Sequence, residues 1–171
     1  DTTKKPMWEV LPITEAKSQG GASLRKLEDA SWIAGGRNPN SDTYIITAPL
    51  AEGSFTGVLL EALPDPTLPN QSLGRASNGN FVLTGIEGEI SAPSLKQPVK
   101  ITFARAEADY SQKGYDVKLL LDNNPKNGWA IDGNDPKKRV ERNAMFIVDK
   151  AVHVPAGATL TVRMLHQSTF A

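Results

Sequence analysis

Apolar and polar residues alternate along much of this chain with a period of two rather than about 3.6, the pattern of extended strands. Tyr44-Ile45-Ile46 sits in a β-branched run, and Phe55 to Leu63 reads FTGVLLEAL, with Val58, Leu60 and Ala62 on one face. Phe81-Val82-Leu83 opens another strand. In the run from Val99 to Ala106, Val99, Ile101 and Phe103 share a side. Further strands are predicted at Val117–Leu121 (VKLLL), at Ala144–Val148 (AMFIV) and at Thr159–Gln167. In the last of these, Leu160, Val162 and Met164 alternate with Thr161, Arg163 and Leu165. Shorter candidates are Met7–Leu11, Ala22–Leu27, Ser31–Ala34 and Trp129–Ile131, which brings the expected number to about nine to eleven.

Turn chemistry separates these segments: Gly20-Gly21, Gly35-Gly36, Asn38-Pro39-Asn40, Asn78-Gly79-Asn80, Asn123-Asn124-Pro125 and Pro155-Ala156-Gly157. Glycine supplies positive φ, proline fixes φ, and asparagine tolerates the left-handed region. No helical stripe of useful length survives between them; one helical turn is predicted near Ala108–Lys113. Many short strands joined by tight turns predict an all-β fold, a two-sheet β-sandwich forming a single module over residues 1–171. No repeat or composition break marks a second domain.

Composition narrows the partners. Lysine plus arginine equals aspartate plus glutamate at 19 each, so no bulk field steers the chain toward nucleic acid or an anionic membrane. The one dense basic run, Lys137, Lys138, Arg139 and Arg142, is diluted by Asp135 and Glu141 and reads as a solvated loop. Cysteine is absent, which excludes disulfides, thiolate metal sites, a cysteine nucleophile and covalently attached haem in this chain. No apolar run approaches about 18 residues, so membrane insertion is not predicted. Asp1-Thr2-Thr3-Lys4-Lys5-Pro6 lacks the apolar centre of a signal peptide; if the protein is exported, its signal is expected outside this sequence.

Catalytic signatures are missing as well. The sequence contains no G-x-S-x-G, H-E-x-x-H, P-loop or G-x-G-x-x-G string. The only histidines, His153 and His166, fall in strand-like segments and read as rim or interface residues. A glycosidase needs just two facing carboxylates, for which Glu61, Glu87, Glu89, Asp109 and Asp116 are candidates. Most read as solvated positions, and no enzyme is predicted.

Three groups of residues suit binding. In the string from Leu73 to Leu83, Arg75 either satisfies loop carbonyls or presents a planar fork to a ligand, and Asn78 begins an Asn-Gly turn. In the second group a buried strand ends in Asp122-Asn123-Asn124 and returns through Asn127, Gly128 and Trp129. Oxygens of Asp122, Asn124 and Asn127 are donors of the kind calcium prefers, and the same residues make Asx turns without a metal. Trp129 is read first as a core anchor and second as a sugar platform. In the third, Tyr110 and Tyr115 flank the turn Ser111-Gln112-Lys113-Gly114, where aromatic faces suit sugar C–H patches. The candidate ligand-binding residues are therefore Arg75, Asn78, Tyr110, Tyr115 and Trp129.

Several strings also resemble a known family when taken in order. They are Trp8 with Leu11, Gly21-Ala22-x-Leu24, Asp29-x-Ser31, and Leu60-Glu61-Ala62-Leu63 with Leu68-Pro69. Next stand Gly74-Arg75-Ala76-x-Asn78-Gly79-Asn80-Phe81-Val82-Leu83, the most specific of them, and Ala106-x-Ala108-Asp109-Tyr110-Ser111-Gln112. Gly128-Trp129-Ala130-Ile131, Leu160-x-Val162 and Leu165-x-Gln167 follow. Together they resemble an insert domain of large planctomycete-type proteins that carry a cytochrome-c-type haem domain. The resemblance implies an exported, multidomain parent, hence an extracytoplasmic (periplasmic or secreted) location and neighbouring domains as partners. It implies no activity for the insert.

The chain departs from that family in three places. Asn123 follows Asp122 where glycine is common, Ser72-Leu73-Gly74-Arg75 stands for Gly-Pro-Gly-Arg, and a Gly-Arg-Phe-Arg segment is missing after Phe170-Ala171, so a further strand is expected beyond it. The Asp122–Trp129 loop is similar to that of galactose-binding-like, discoidin-type jelly rolls. That likeness implies a jelly-roll version of the sandwich, calcium at this loop and a polysaccharide or other glycan bound at one end. Three functions follow as expectations: a non-catalytic carbohydrate-binding accessory module, a structural spacer packing against neighbouring haem-c or catalytic domains, and, last, a glycan-active hydrolase.

Overall fold

The computed structural model describes residues 7–122 and 124–168. The Asp1–Pro6 stretch, Asn123 and the Phe170-Ala171 end discussed above lie outside the described residues. The strands are β1 (Glu15–Ser18), β2 (Ala22–Lys26), β3 (Trp32–Gly36), β4 (Asp42–Leu50), β5 (Gly53–Ala62), β6 (Gly85–Ser91), β7 (Val99–Ile101), β8 (Phe103–Ala108), β9 (Arg142–Val154) and β10 (Ala158–His166). One sheet runs β1-β4-β10-β6-β7, a second runs β5-β9-β8, and β2 and β3 form a separate hairpin. Every pairing is antiparallel.

The two larger sheets face each other across one core. Ile86 and Ile90 of β6, Ile101 of β7, and Leu160 and Val162 of β10 pack from one side, and Ala106, Ala144, Phe146, Val148 and Val154 from the other. Alternation explains the layering: β6 is half-buried and buried in turn along its whole length, with Ile86, Gly88 and Ile90 inward. The fold is an all-β sandwich, as the alternating pattern predicts. Among the described residues, no helix is long and apolar enough to cross a membrane.

Six segments differ from the sequence reading. Val117–Leu121 is a 3-10 helix, not a strand: the Asp116 carboxylate accepts from Lys118 N at 2.9 Å, and Val117 and Leu120, three apart, are the buried positions. The alternating run from Val99 to Ala106 is two strands in different sheets, because the chain crosses the sandwich at Thr102. Phe81–Leu83 and Trp129–Ile131 contribute only an isolated bridge between Leu83 and Trp129. Met7–Leu11 forms no strand, and the helical turn expected near Ala108–Lys113 is instead a loop closed by a Gln112–Tyr115 bridge. β1 has no apolar signature and is defined by its pairing with the edge of β4.

At the end of β10, the His166 ring lies against Tyr44, with centroids 4.9 Å apart, and its buried Nε2 has no hydrogen-bond partner. Burial holds the His166 pKa below its usual 6.5, against the smaller upward pulls of the Val82 backbone and the Asp42 charge. The unfolded chain therefore binds a proton here at a higher pH than the folded one. Stability from this group is complete above about pH 6.5 and is lost as pH falls through the window below it, with a slope of up to about 1.4 kcal/mol per pH unit. Urea unfolding measured between pH 7.5 and 5 is expected to show this loss, and His166→Leu to flatten it. Equal slopes in the two proteins would show that His166 titrates normally.

Candidate functional site

Three loops converge beyond the sheet ends: 72–84, 109–116 and 129–135. Asn80 ties them together. Its side-chain Nδ2 donates to Gln112 Oε1 at 2.8 Å, and its Oδ1 accepts from Ile131 N at 3.2 Å and Gly133 N at 3.1 Å. Gln112 Oε1 also accepts from Asp132 N at 3.0 Å. One amide thus satisfies backbone donors on a loop some fifty residues away. The loops pack so closely that two glycines are required: a Cβ on Gly74 would lie 1.9 Å from Asn80 O, and one on Gly133 2.2 Å from Gly79 O.

Trp129 is the anchor beneath this junction. It is 0% exposed, exchanges both backbone hydrogen bonds with Leu83 at 2.8 and 2.9 Å, and donates from Nε1 to Tyr110 O at 2.9 Å. Phe81 meets it edge-on, with centroids 5.2 Å apart. With no surface exposed, Trp129 offers no face to a sugar. Its core-anchor reading holds, and its place among the ligand-binding candidates is corrected.

The half-buried Tyr110 lies above. Its hydroxyl donates to the carboxylate of Asp132, a residue held in the left-handed region at φ 55°. That bond, helped by burial and the Asp132 charge, raises the Tyr110 pKa above its ordinary value of 10. Lys138 Nζ and Arg142 Cζ lie 4.4 and 4.6 Å from the ring centroid, within cation–π range. Asp135 caps a one-turn 3-10 helix, Pro136–Lys138, which carries Lys138 to this position, and Arg139 donates to Gly133 O at 2.8 Å. The basic run is therefore partly built into the platform rather than wholly solvated.

Neither a protein-family model, a curated protein nor a solved structure matches this chain.

The structure brings Asn78, Tyr110 and Tyr115 to this one loop junction. Asn78 is exposed and accepts Asn80 N on its side-chain oxygen at 3.0 Å, and Tyr115 is half-buried with its backbone bonded to Gln112 and Ala130. Arg75 is turned elsewhere. Its two terminal nitrogens donate to Arg37 O at 3.0 Å and Gly36 O at 2.9 Å, closing the loop onto the end of β3. This is the carbonyl-satisfying role of the two weighed for it.

The Asp122–Trp129 loop carries an Asx turn, with Asn124 Oδ1 accepting from Lys126 N at 3.0 Å and Asn127 N donating to Asn124 O at 3.0 Å. Asp122 follows the 3-10 helix and bonds back to Leu119 O through its N–H. Among the described residues, no group of three or more histidine, aspartate or glutamate side chains gathers to hold a metal. A lone carboxylate beside two amides, one of them already committed to a turn, is a thin donor set for calcium, which takes about six to eight oxygens.

Of the acids weighed as a catalytic pair, Glu89 pairs with Arg163 at 3.0 Å, Asp109 accepts from Asn143 N at 3.1 Å, and Asp116 caps its helix. A cleft of about 560 Å³ lies away from these loops, between β7 and the second half of β9.

Proposed function

We propose that this chain is a non-catalytic, carbohydrate-binding accessory module of a larger exported protein, and that the glycan meets it at the loop junction. The observation that carries this reading is the Asn80 amide, which locks three loops into one platform. On that platform sit an exposed amide (Asn78), two half-buried phenol rings (Tyr110, Tyr115) and the ammonium of Lys138. Aromatic edges against C–H patches, with fixed polar groups for hydroxyls, are the chemistry of sugar recognition. Fixing these groups beforehand lowers the ordering cost of binding. The interleaving of the sheets, with β10 between β4 and β6 and β9 between β5 and β8, supports the jelly-roll version of the sandwich.

A panel of marine and plant polysaccharides, tried with and without calcium by affinity electrophoresis and titration calorimetry, tests this directly. Binding to at least one member is expected. Lys138→Ala and Tyr110→Ala are each expected to weaken it about tenfold or more, whereas Arg163→Ala, away from the loops, leaves it unchanged. Silence across the whole panel under both conditions retires the reading.

Exposed apolar residues favour the spacer function as a second reading. Met7 is 88% exposed and Val10 82%. Such residues on an isolated module suit contact with a neighbouring domain. Association with the flanking haem-c or catalytic domains, supplied in trans and abolished by Met7→Ser with Val10→Ser, distinguishes this role from glycan binding.

A further inference from the structure

β8 pairs with only the first part of β9. Its register runs from Ala108 opposite Ala144 to Phe103 opposite Val148, and there the chain leaves for the other sheet, where β7 pairs with β6. β9 continues through Asp149 to Val154. On one side of that extension lies β5, with Phe55, Ser54 and Gly53 opposite Val152, His153 and Val154. Among the described residues, nothing pairs with the other side, where a longer β8 would run. Among the described residues the outer edge of β7 is also without a paired strand.

The cleft of about 560 Å³ occupies this gap. Its walls are two continuous backbone runs, 99–102 and 148–153, and its floor is apolar, made by Ile90, Leu95, Ile101 and Val148. Lys100 and Lys150 stand among the lining residues beside one acid, Asp149, which leaves the lining net basic. An unpaired strand edge presents alternating N–H and C=O groups about every two residues. A sugar or a lipid has no matching comb of donors and acceptors; another extended backbone has one. The apolar floor adds a demand for apolar side chains on alternate residues of the occupant.

We infer that this slot receives an extended peptide segment of a partner protein, which adds as a strand beside Asp149–Val154. A stretch of about six residues, roughly 20 Å, fills it. Every second side chain faces the floor, and an acidic residue meets Lys100 and Lys150. A second copy of this chain fits less well, since it would set the same net-basic lining, two lysines against Asp149, upon itself. This inference is independent of the glycan reading, because the slot and the loop junction share no residue.

Selection of a displayed library of random twelve-residue peptides on the folded protein tests it. Enriched peptides are expected to alternate apolar residues and to carry an acidic one. On binding they slow amide exchange at 149–154. Backbone N-methylation of such a peptide on alternate residues, in both phases, separates strand pairing from mere apolar contact: in one phase affinity falls about tenfold or more. Val99→Lys, at the half-exposed edge of β7, is expected to weaken binding without changing the melting temperature. Failure to enrich any peptide overturns the inference, as does equal affinity for both methylated forms or protection at the loop junction instead. Concentration-dependent dimers that protect the same amides would assign the slot to a second copy and overturn it too.

Discussion

Trp129→Ala is expected to lower the unfolding free energy by about 3–5 kcal/mol, the range for deleting a large buried aromatic. The ring is fully enclosed and packs against Phe81, so its loss opens a void that the tight loops around Gly74 and Gly133 have little freedom to close. It also strips Tyr110 O of its indole donor. Trp129→Phe separates the two effects. It keeps an aromatic ring in place and removes only the hydrogen bond and part of the volume, so a smaller loss of about 1–3 kcal/mol is expected. Urea titration at pH 7.5 followed by circular dichroism measures both. A cost under about 1 kcal/mol for Trp129→Ala would mean that the loop junction melts separately from the sandwich.

Asn80→Ala is the second large effect, at about 2–5 kcal/mol. Ile131 and Gly133 are buried, and each loses the acceptor for its N–H. A buried donor left unpaired costs about 1–3 kcal/mol. Gln112 Oε1 keeps Asp132 N but loses the Asn80 amide. Asn80→Asp is the informative control. Its shape is nearly the same and both acceptor bonds survive, but it cannot donate to Gln112 and sets a charge against that carbonyl oxygen. Intermediate stability is expected, with fast amide exchange at Ile131 and Gly133 in the alanine variant and slow exchange in the aspartate one. Wild-type stability of Asn80→Ala would show that water replaces the amide and that the junction is not rigid. The glycan reading depends on that rigidity.

Much of the sandwich was legible in the alternation, because the first half of β9 and most of β10 bury every second residue and their sequences obey that directly. The alternation misled where tertiary context changed its meaning. Val117–Leu121 has apolar residues both two and three apart, and the cap at Asp116 decides for the 3-10 helix. In the run through Thr102 the apolar phase flips at Phe103-Ala104, beside a register shift in β8, and the chain changes sheet there, so the eight residues are not one strand. β6 was obscured by Gly85 and Gly88, whose missing side chains weaken the apolar signal, although Ile86 and Ile90 mark its inner face.

The candidate site was legible only in part. Tyr110, Tyr115 and Asn78 were visible as turn-flanking residues. Asn80 was visible only as part of an Asn-Gly turn, and Gln112 as a loop polar residue. Their importance lies in partners 20 to 53 residues away, for which no local pattern exists. Arg75 and Trp129 carry groups suited to ligands, but their burial and partners put those groups to structural use.

β10 lies between β4 and β6, although it is synthesised after every other strand described here. Until it emerges, the larger sheet is split, and β4 and β6 each present a bare margin to the surroundings. A nascent chain stalled near Gly157 therefore holds a half-built core that is prone to cling to other chains. Closure of the larger sheet is thus a late event, set by when the strand after Gly157 becomes available to zip β4 to β6.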